Sequence, residues 1–166
     1  MPINLTVSEK VFTGVFARNC EVRRIDRRTA AAFLDNHHAL GDTRSRYRYG
    51  LFVVKKGHTD ISEGTLVAVG TFSSARRWMK EGGEVRSYEW VRYASLTDVR
   101  VIGGMGKILG TFADEVRPDD VMSYADAAWS DGDAYRKLGF VPEEPKVFPN
   151  GAVSLKFRKK YDWTVR

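Results

Sequence analysis

Gly103, Gly104 and Gly106 fall within four residues of one another in the stretch VRVIGGMGKILGTF, between a run that alternates like a strand and one with helical spacing. A helix N-terminus leaves backbone N–H groups unpaired and carries partial positive charge. Without β-carbons the amides of such a turn can converge on one anion, and Lys107 adds a cation at the rim, so the spacing suits a phosphate cradle. A tight strand-to-helix turn with no ligand would use the same glycines. Two familiar phosphate loops fail on residues: the dinucleotide fingerprint G-x-G-x-x-G meets Leu109 at its third glycine position, and the P-loop requires a hydroxyl where Ile108 follows Lys107.

Other side chains with chemistry to offer lie around this turn. Glu89 and Arg92 alternate with Trp90 and Tyr93 in YEWVRYA, which sets charge on a sheet face for a substrate or for a salt bridge across the sheet. Asp126, in SYADAAW, suits a base or substrate ligand, or equally a helix cap. His38, in NHHALG, would titrate near neutrality as a proton shuttle; capping a helix end is its plainer use. Trp129 could stack on a planar substrate such as a nucleobase, or pack in the core.

Elements that position these groups are legible in outline. NCEVRRI reads as an edge strand, and Asp26 stands as an N-cap before the helix-forming run RRTAAAFLDNHH. YRYGLFVVKK and TLVAVGTFS form an antiparallel hairpin around a long polar loop, and YEWVRYASLTDVRVI is one extended region with a bulge or bend at SLTD. After Gly103 the period becomes helical through Ile108, Leu109, Phe112 and Ala113. DDVMSYAD is then a buried strand, DGDAYRKLGF a short helix closed by Gly139, VPEEPKVFPNG a proline-rich loop and AVSLKFRKKY a last strand. The order predicts a mixed α/β fold, largely antiparallel in front with a strand, helix and strand behind.

Composition sets the bounds. The chain of 166 residues, 43% hydrophobic and 29% charged, is expected to fold as one domain over residues 1–166, with the first ~20 residues peripheral. Its start lacks the pattern of a secretory signal and no apolar run reaches a bilayer-spanning length, so an intracellular, cytoplasmic protein with no membrane partner is expected. One cysteine, Cys20, excludes an internal disulfide, and with three scattered histidines it argues against a metal site. The net charge of +6, with arginines bunched in RNCEVRRIDRR, RSRYRY and ARRW, fits either a solvated basic surface or a face for nucleic acid. Nothing in the sequence fixes an oligomeric state.

The second half of the chain resembles the GCN5-related N-acetyltransferase (GNAT) superfamily, and a narrower likeness within it extends over roughly residues 30 to 150. VIGGMG is similar to its pyrophosphate signature Q/R-x-x-G-x-G/A, with Gly104 and Gly106 on the last two positions, Val101 where the arginine or glutamine stands, and Arg100 one residue off. AYRKLGF resembles the Y-x-K-x-G-F end of the last helix, and YEWVRYA, VIGGMGKIL and SYADAAWSDGDAYRKLGF resemble a mobile-element group that includes the DNA-modification protein Mom. The resemblance implies a mixed, mostly antiparallel central sheet with two splayed parallel strands and flanking helices. It implies acetyl-CoA or coenzyme A as the thioester donor, bound by Val99, Val101, Ile102, Gly103, Gly104, Met105, Gly106 and Lys107, with 99–102 and the stretch around Ser123 forming the splayed wedge. Tyr135 is then the acid for the departing thiolate, or a core tyrosine beside Phe140; Asp126 and His38 are further catalytic candidates. Glu89, Arg92, Ser123 and Trp129 face the substrate. The implied activity is N-acylation of an amine; Mom-like modification of a nucleic-acid base and a non-catalytic binding module are the alternatives.

Overall fold

The computed structural model describes residues 12–128 and 131–164. Strand β1 (Thr13–Phe16) runs through one turn of 3-10 helix, Ala17–Asn19, into β2 (Cys20–Arg24). Helix α1 (Arg27–His37) follows, capped as expected by Asp26, whose carboxylate accepts the Thr29 amide at 2.7 Å. Next come β3 (Tyr47–Val53), β4 (Leu66–Phe72), β5 (Arg76–Lys80), β6 (Gly83–Ser95) and β7 (Val99–Ile102). Helix α2 (Gly104–Val116), β8 (Asp120–Asp126), α3 (Asp133–Lys137), β9 (Val141–Val147) and β10 (Val153–Lys160) complete the order.

The large sheet runs β2-β3-β4-β6-β8-β10-β9, with β5 attached to β6. Its pairings are antiparallel except between β6 and β8, which run parallel. This is the mixed, mostly antiparallel sheet the sequence predicts. Helix α2 covers one face, where Ile108 and Phe112 pack among Tyr49, Leu51, Phe72 and Trp90; the Phe72 and Phe112 rings stack at 4.0 Å. Helix α1 covers the other, setting Ala30, Phe33 and Leu34 on Val69 and Ala94. Burial of each large apolar side chain stabilises by about 1.5–3 kcal/mol, which fixes both helices on the sheet.

Four elements differ from expectation. β1, where no strand is expected, pairs in parallel with β7 and buries Val15. VPEEPKV, expected as loop, is the edge strand β9; an edge has one set of N–H groups facing away from any partner, so Pro142 and Pro145 cost little there. ARRWMK, not expected as a strand, is β5, which turns back into β6 through Gly82 and Gly83, both with positive φ. The run 88–102 is two strands: the chain breaks after Ser95, Asp98 takes φ 62°, and β7 leaves the large sheet to pair in parallel with β1. No helix among the described residues is long and apolar enough to cross a membrane.

Candidate functional site

Strand β6 changes neighbours along its length. Ser87, Tyr88 and Glu89 pair in parallel with Asp120, Val121 and Met122 of β8, whereas Trp90 to Ser95 pair with β4 alone. Beyond Met122, β8 continues beside β10. The two strands therefore part after Glu89 and Met122. Phe72 pairs with Trp90 and Thr71 with Arg92, leaving Val91 without a counterpart on β4, a bulge at the start of the gap. Below the fork a buried polar cluster holds the strands together: Ser87 Oγ donates to Asp120, and Arg158 Nη1 reaches the same carboxylate oxygen at 2.5 Å.

The sequence reading placed 99–102 on one side of this wedge. Those residues pair with β1 instead, because the break at Asp98 carries them off the sheet, and the wall opposite Ser123 is Trp90 onward. Ser123 is buried, and its Oγ donates to the Trp90 carbonyl at 3.0 Å across the fork. Since the hydroxyl has one proton and a carbonyl only accepts, the 2.9 Å bond between Ser123 Oγ and the Tyr135 hydroxyl is donated by Tyr135. The Tyr135 ring stacks on Phe157 and meets Phe140 and Trp90 edge-on. Gly132 permits this placement: its φ is +77°, and a β-carbon there would lie 2.1 Å from Phe157 Cζ. Burial raises the Tyr135 pKa, and the Glu89 charge acts in the same direction. Tyr135 is both the core residue beside Phe140 and a hydroxyl at the fork.

At the far end of the gap α2 begins. Gly103 caps it in the left-handed region, with no side-chain cap and no acidic residue in the first turn, unlike α1 with its Asp26 cap. The Gly104, Met105 and Gly106 amides precede the first i to i−4 bond, made by Lys107 to the Gly103 carbonyl at 3.1 Å. A β-carbon on Gly104 would come within 2.5 Å of Tyr93 Oη and 2.8 Å of Val101 Cγ1, so glycine lets β6 and β7 close on the helix start. Burial pushes the Tyr93 pKa up to about 12. A hollow of about 250 Å³ adjoins the turn, lined by Tyr93, Ser95, Val99, Val101 and Met105, with Arg100 at its side. Arg100, one position from the motif arginine, thus reaches the hollow, while Ile102 is exposed and pairs with Phe16. Lys107 does not stand free at the rim: its ammonium binds the carbonyls of Ala17 at 2.9 Å and Cys20 at 2.5 Å, tying the 3-10 turn to α2.

On the α1 face a groove of about 530 Å³ passes Glu89, Val91 and Arg92 of β6, Tyr124 and Asp126 of β8, and Phe148. Glu89 faces Arg76 of β5 at 4.0 Å, and its side chain keeps 25% exposure. Arg92 makes no cross-sheet pair with it; the guanidinium donates to the carbonyls of Gly41 at 2.9 Å and Val91 at 3.1 Å, bracing the α1–β3 loop against the bulge. Asp126 Oδ1 accepts the Ala128 amide at 2.9 Å in an Asx turn, and the residue lines the groove. His38 ends α1, and its Nδ1 accepts the Leu40 amide at 3.0 Å, so the neutral ring carries its proton on Nε2. Burial, then the Arg92 charge, hold the His38 pKa below its ordinary value. Trp129 lies outside the described residues. The structure brings Tyr135, Ser123 and Glu89 to the fork; it sets His38 on the α1 side, away from Tyr135. Sequence reasoning missed the Val91 bulge, Tyr93 beneath Gly104, and Arg76. The bulge's one signal is the spacing of three between Glu89 and Arg92 and between Trp90 and Tyr93, and Arg76 sits on a strand with every residue exposed.

Neither a family model nor a curated protein matches the chain. Solved structures do. A histone acetyltransferase-related protein from Corynebacterium glutamicum superposes with TM-score 0.61 at 12% identity, over 89% of this chain and 99% of its own. An N-acyl amino acid synthase from uncultured soil microbes gives 0.53 at 14%, over 85% and 91%. A GNAT-family acetyltransferase from Bacillus cereus gives 0.50 at 9%, over 85% and 96%. At such identities the likeness is one of architecture: the mixed, mostly antiparallel sheet with its few helices matches the GNAT fold.

Proposed function

We propose that the protein is a coenzyme A-dependent N-acyltransferase that acylates an amine, with acetyl-CoA as donor. The observation that carries this reading is the uncapped, acid-free start of α2 beside the parting of β6 and β8, with the Tyr135 hydroxyl held at the fork. The donor set fits a diphosphate: amides at Gly104, Met105 and Gly106 have no intrahelical acceptor, and the helix dipole favours negative charge there. When bound, acetyl-CoA supplies an acyl carbon already activated as a thioester.

The chain's own groups divide the remaining work. Facing edges of β6 and β8 offer main-chain groups to an arm that carries amides and to a developing oxyanion. Tyr135 stays protonated through neutral pH, because burial raises its pKa, and can hand that proton to a leaving sulfur. Glu89 faces the groove as a carboxylate that can take the proton an attacking ammonium must lose. It suits that task better than His38, whose acceptor nitrogen is already engaged by Leu40. Asp126 lines the same groove and serves to orient the amine.

Melting curves with acetyl-CoA, followed by an assay of free thiol release with a panel of amines, test the reading. A ligand that binds only the native state raises the melting temperature by mass action. No shift at saturating acetyl-CoA refutes the donor site. A shift without thiol release from any amine makes the protein a binding module.

A further inference from the structure

The acceptor groove does not end at Arg92. It continues into a cleft of about 580 Å³ that shares Arg76, Glu89, Val91 and Arg92 with it and adds Arg44, Ser45 and Ser73. That cleft in turn shares Thr43, Arg44 and Ser45 with a hollow of about 400 Å³ closed by Arg27, Asp42 and Arg48. One trough therefore runs from Glu89 to the start of α1.

What sets this trough apart is that several arginines line the same connected hollows, with a single carboxylate in the outermost. Arg23, Arg24, Arg77 and Arg158 each meet a glutamate or aspartate within 3.3 Å. Along the trough Arg48 bonds only the Ser45 carbonyl, at 2.9 Å, and Arg92 only carbonyls. Arg27 and Arg44 have no hydrogen-bond or ion-pair partner among the described residues. Arg76 shares Glu89 at 4.0 Å, and Asp42 is the one carboxylate in the outer hollow. Guanidinium groups set together with so little negative charge repel one another, and the arrangement is relieved by an anion that none of these side chains supplies.

Resting on the acyltransferase reading, we infer that the acceptor carries a phosphate group, held by Arg27, Arg44 and Arg48 while its amine lies at Glu89. Phosphate suits the hollow better than a carboxylate does. Three planar guanidinium forks with the Thr43 and Ser45 hydroxyls offer more donors than two carboxylate oxygens can accept. Asp42 is placed to receive a hydroxyl or amino group of the same ligand. The phosphate has two sources, a small phosphorylated amine or a nucleic-acid strand, which present the same oxyanion.

The test is binding of a fluorescein-labelled single-stranded oligonucleotide over a salt series, with phosphoethanolamine as competitor and a labelled oligoglutamate peptide as control. Wild type is compared with Arg44→Ala, Arg27→Ala and, as a charge-matched control away from the trough, Arg23→Ala. Arg44→Ala is expected to weaken binding about tenfold at low salt, and to flatten the dependence of log affinity on log salt by about one unit; Arg23→Ala should do neither. Competition by phosphoethanolamine identifies a small acceptor, and its failure a strand; both support the subsite. Equal losses from Arg44→Ala and Arg23→Ala, oligoglutamate binding as tightly as the oligonucleotide, or no binding of either phosphate probe overturns it. Acetyl-CoA melting shifts on the same variants separate the two proposals. A shift lost only in Arg44→Ala would mean the trough serves the donor and would refute the acceptor subsite. Absence of any shift in wild type refutes the acyltransferase reading alone.

Discussion

Gly104→Ala and Gly110→Ala place the same methyl group on one helix with opposite consequences. At Gly104 the new β-carbon would stand 2.5 Å from Tyr93 Oη, the end of a side chain that borders the hollow, and 2.8 Å from Val101 Cγ1 and 3.2 Å from Val101 Cβ, a β-branched residue that can retreat only with its strand. Overpacking of this kind costs about 1–3 kcal/mol, offset by up to ~1 kcal/mol of helix propensity, so a net loss of about 1–2 kcal/mol is expected. At Gly110 no atom lies within 4 Å, and the residue is exposed in mid-helix, so alanine should stabilise by about 0.5–1 kcal/mol. For a chain of this size each ~1 kcal/mol moves the melting temperature by roughly 2–4 °C. Urea titration followed by circular dichroism gives both values directly. Acetyl-CoA at about a hundredfold excess over its Kd should add about 2.7 kcal/mol to wild type and to Gly110→Ala. Gly104→Ala should lose half or more of that increment, because displacing Tyr93 or the helix start disturbs the amides that hold the diphosphate. Equal stability of Gly104→Ala and wild type would refute the tight packing at the turn, and a full acetyl-CoA increment in Gly104→Ala would refute donor binding there.

Other perturbations probe the fork and its supports. Tyr135→Phe leaves the Ser123 bond to Trp90 in place; unfolding should show a loss of only about 0.5–1.5 kcal/mol, while turnover falls by about 10²–10⁴. Turnover that keeps pace with wild type would leave Tyr135 a packing residue. Asp120→Ala takes the carboxylate away from Ser87 and from a mostly buried Arg158, which keep each other and Glu143, so thermal melts should show a loss of about 3 kcal/mol, the lower end for a broken buried pair. His38 should titrate by NMR below its ordinary 6.5, since burial and then Arg92 disfavour its charged form. With the folded pKa depressed, the unfolded chain binds the proton more readily. His38 thus contributes stability above pH ~6.5 that is lost as pH falls through the folded value, and His38→Gln should flatten that acid limb. An unshifted His38 titration would remove the basis for that expectation.

Local chemistry was legible; distant partnership was not. Asp26 declares the start of α1 because its carboxylate answers a donor three residues away, and Gly103 declares the start of α2 because a positive φ and a change of period fall together. The hairpin β3–β4 and strand β8 follow from apolar runs that end up buried, and β10 follows from its alternation. β5 and β9 were missed because all their residues are exposed and alternation has nothing to report. The β1–β7 pair joins segments far apart in sequence, so nothing near 99–102 announces that they leave the sheet. Lys107 has the right type for an anion site, yet the carbonyls that claim it belong to the Ala17–Asn19 turn and to Cys20. Tyr135 and Ser123 were both singled out, but their mutual bond depends on Gly132 folding α3 onto Phe157.

The fork leaves main-chain groups of two strands facing each other without a ladder. Inside a sheet every strand has two neighbours, and main-chain groups without partners away from water cost about as much as lost hydrogen bonds. Beyond Glu89 and Met122, β6 keeps β4 on one side and β8 keeps β10, so each turns one edge toward the other with no ladder between them. Ser123 Oγ answers one of these groups, the Trp90 carbonyl, and its own oxygen is answered by Tyr135. Replacing Ser123 with alanine would remove both bonds while leaving the strands apart, so it should loosen Tyr135 without closing the gap. If Ser123→Ala lowered turnover as far as Tyr135→Phe with the acetyl-CoA melting increment intact, Ser123 would be the residue that positions the acid. An increment lost along with turnover would instead make Ser123 part of the wall that the donor needs.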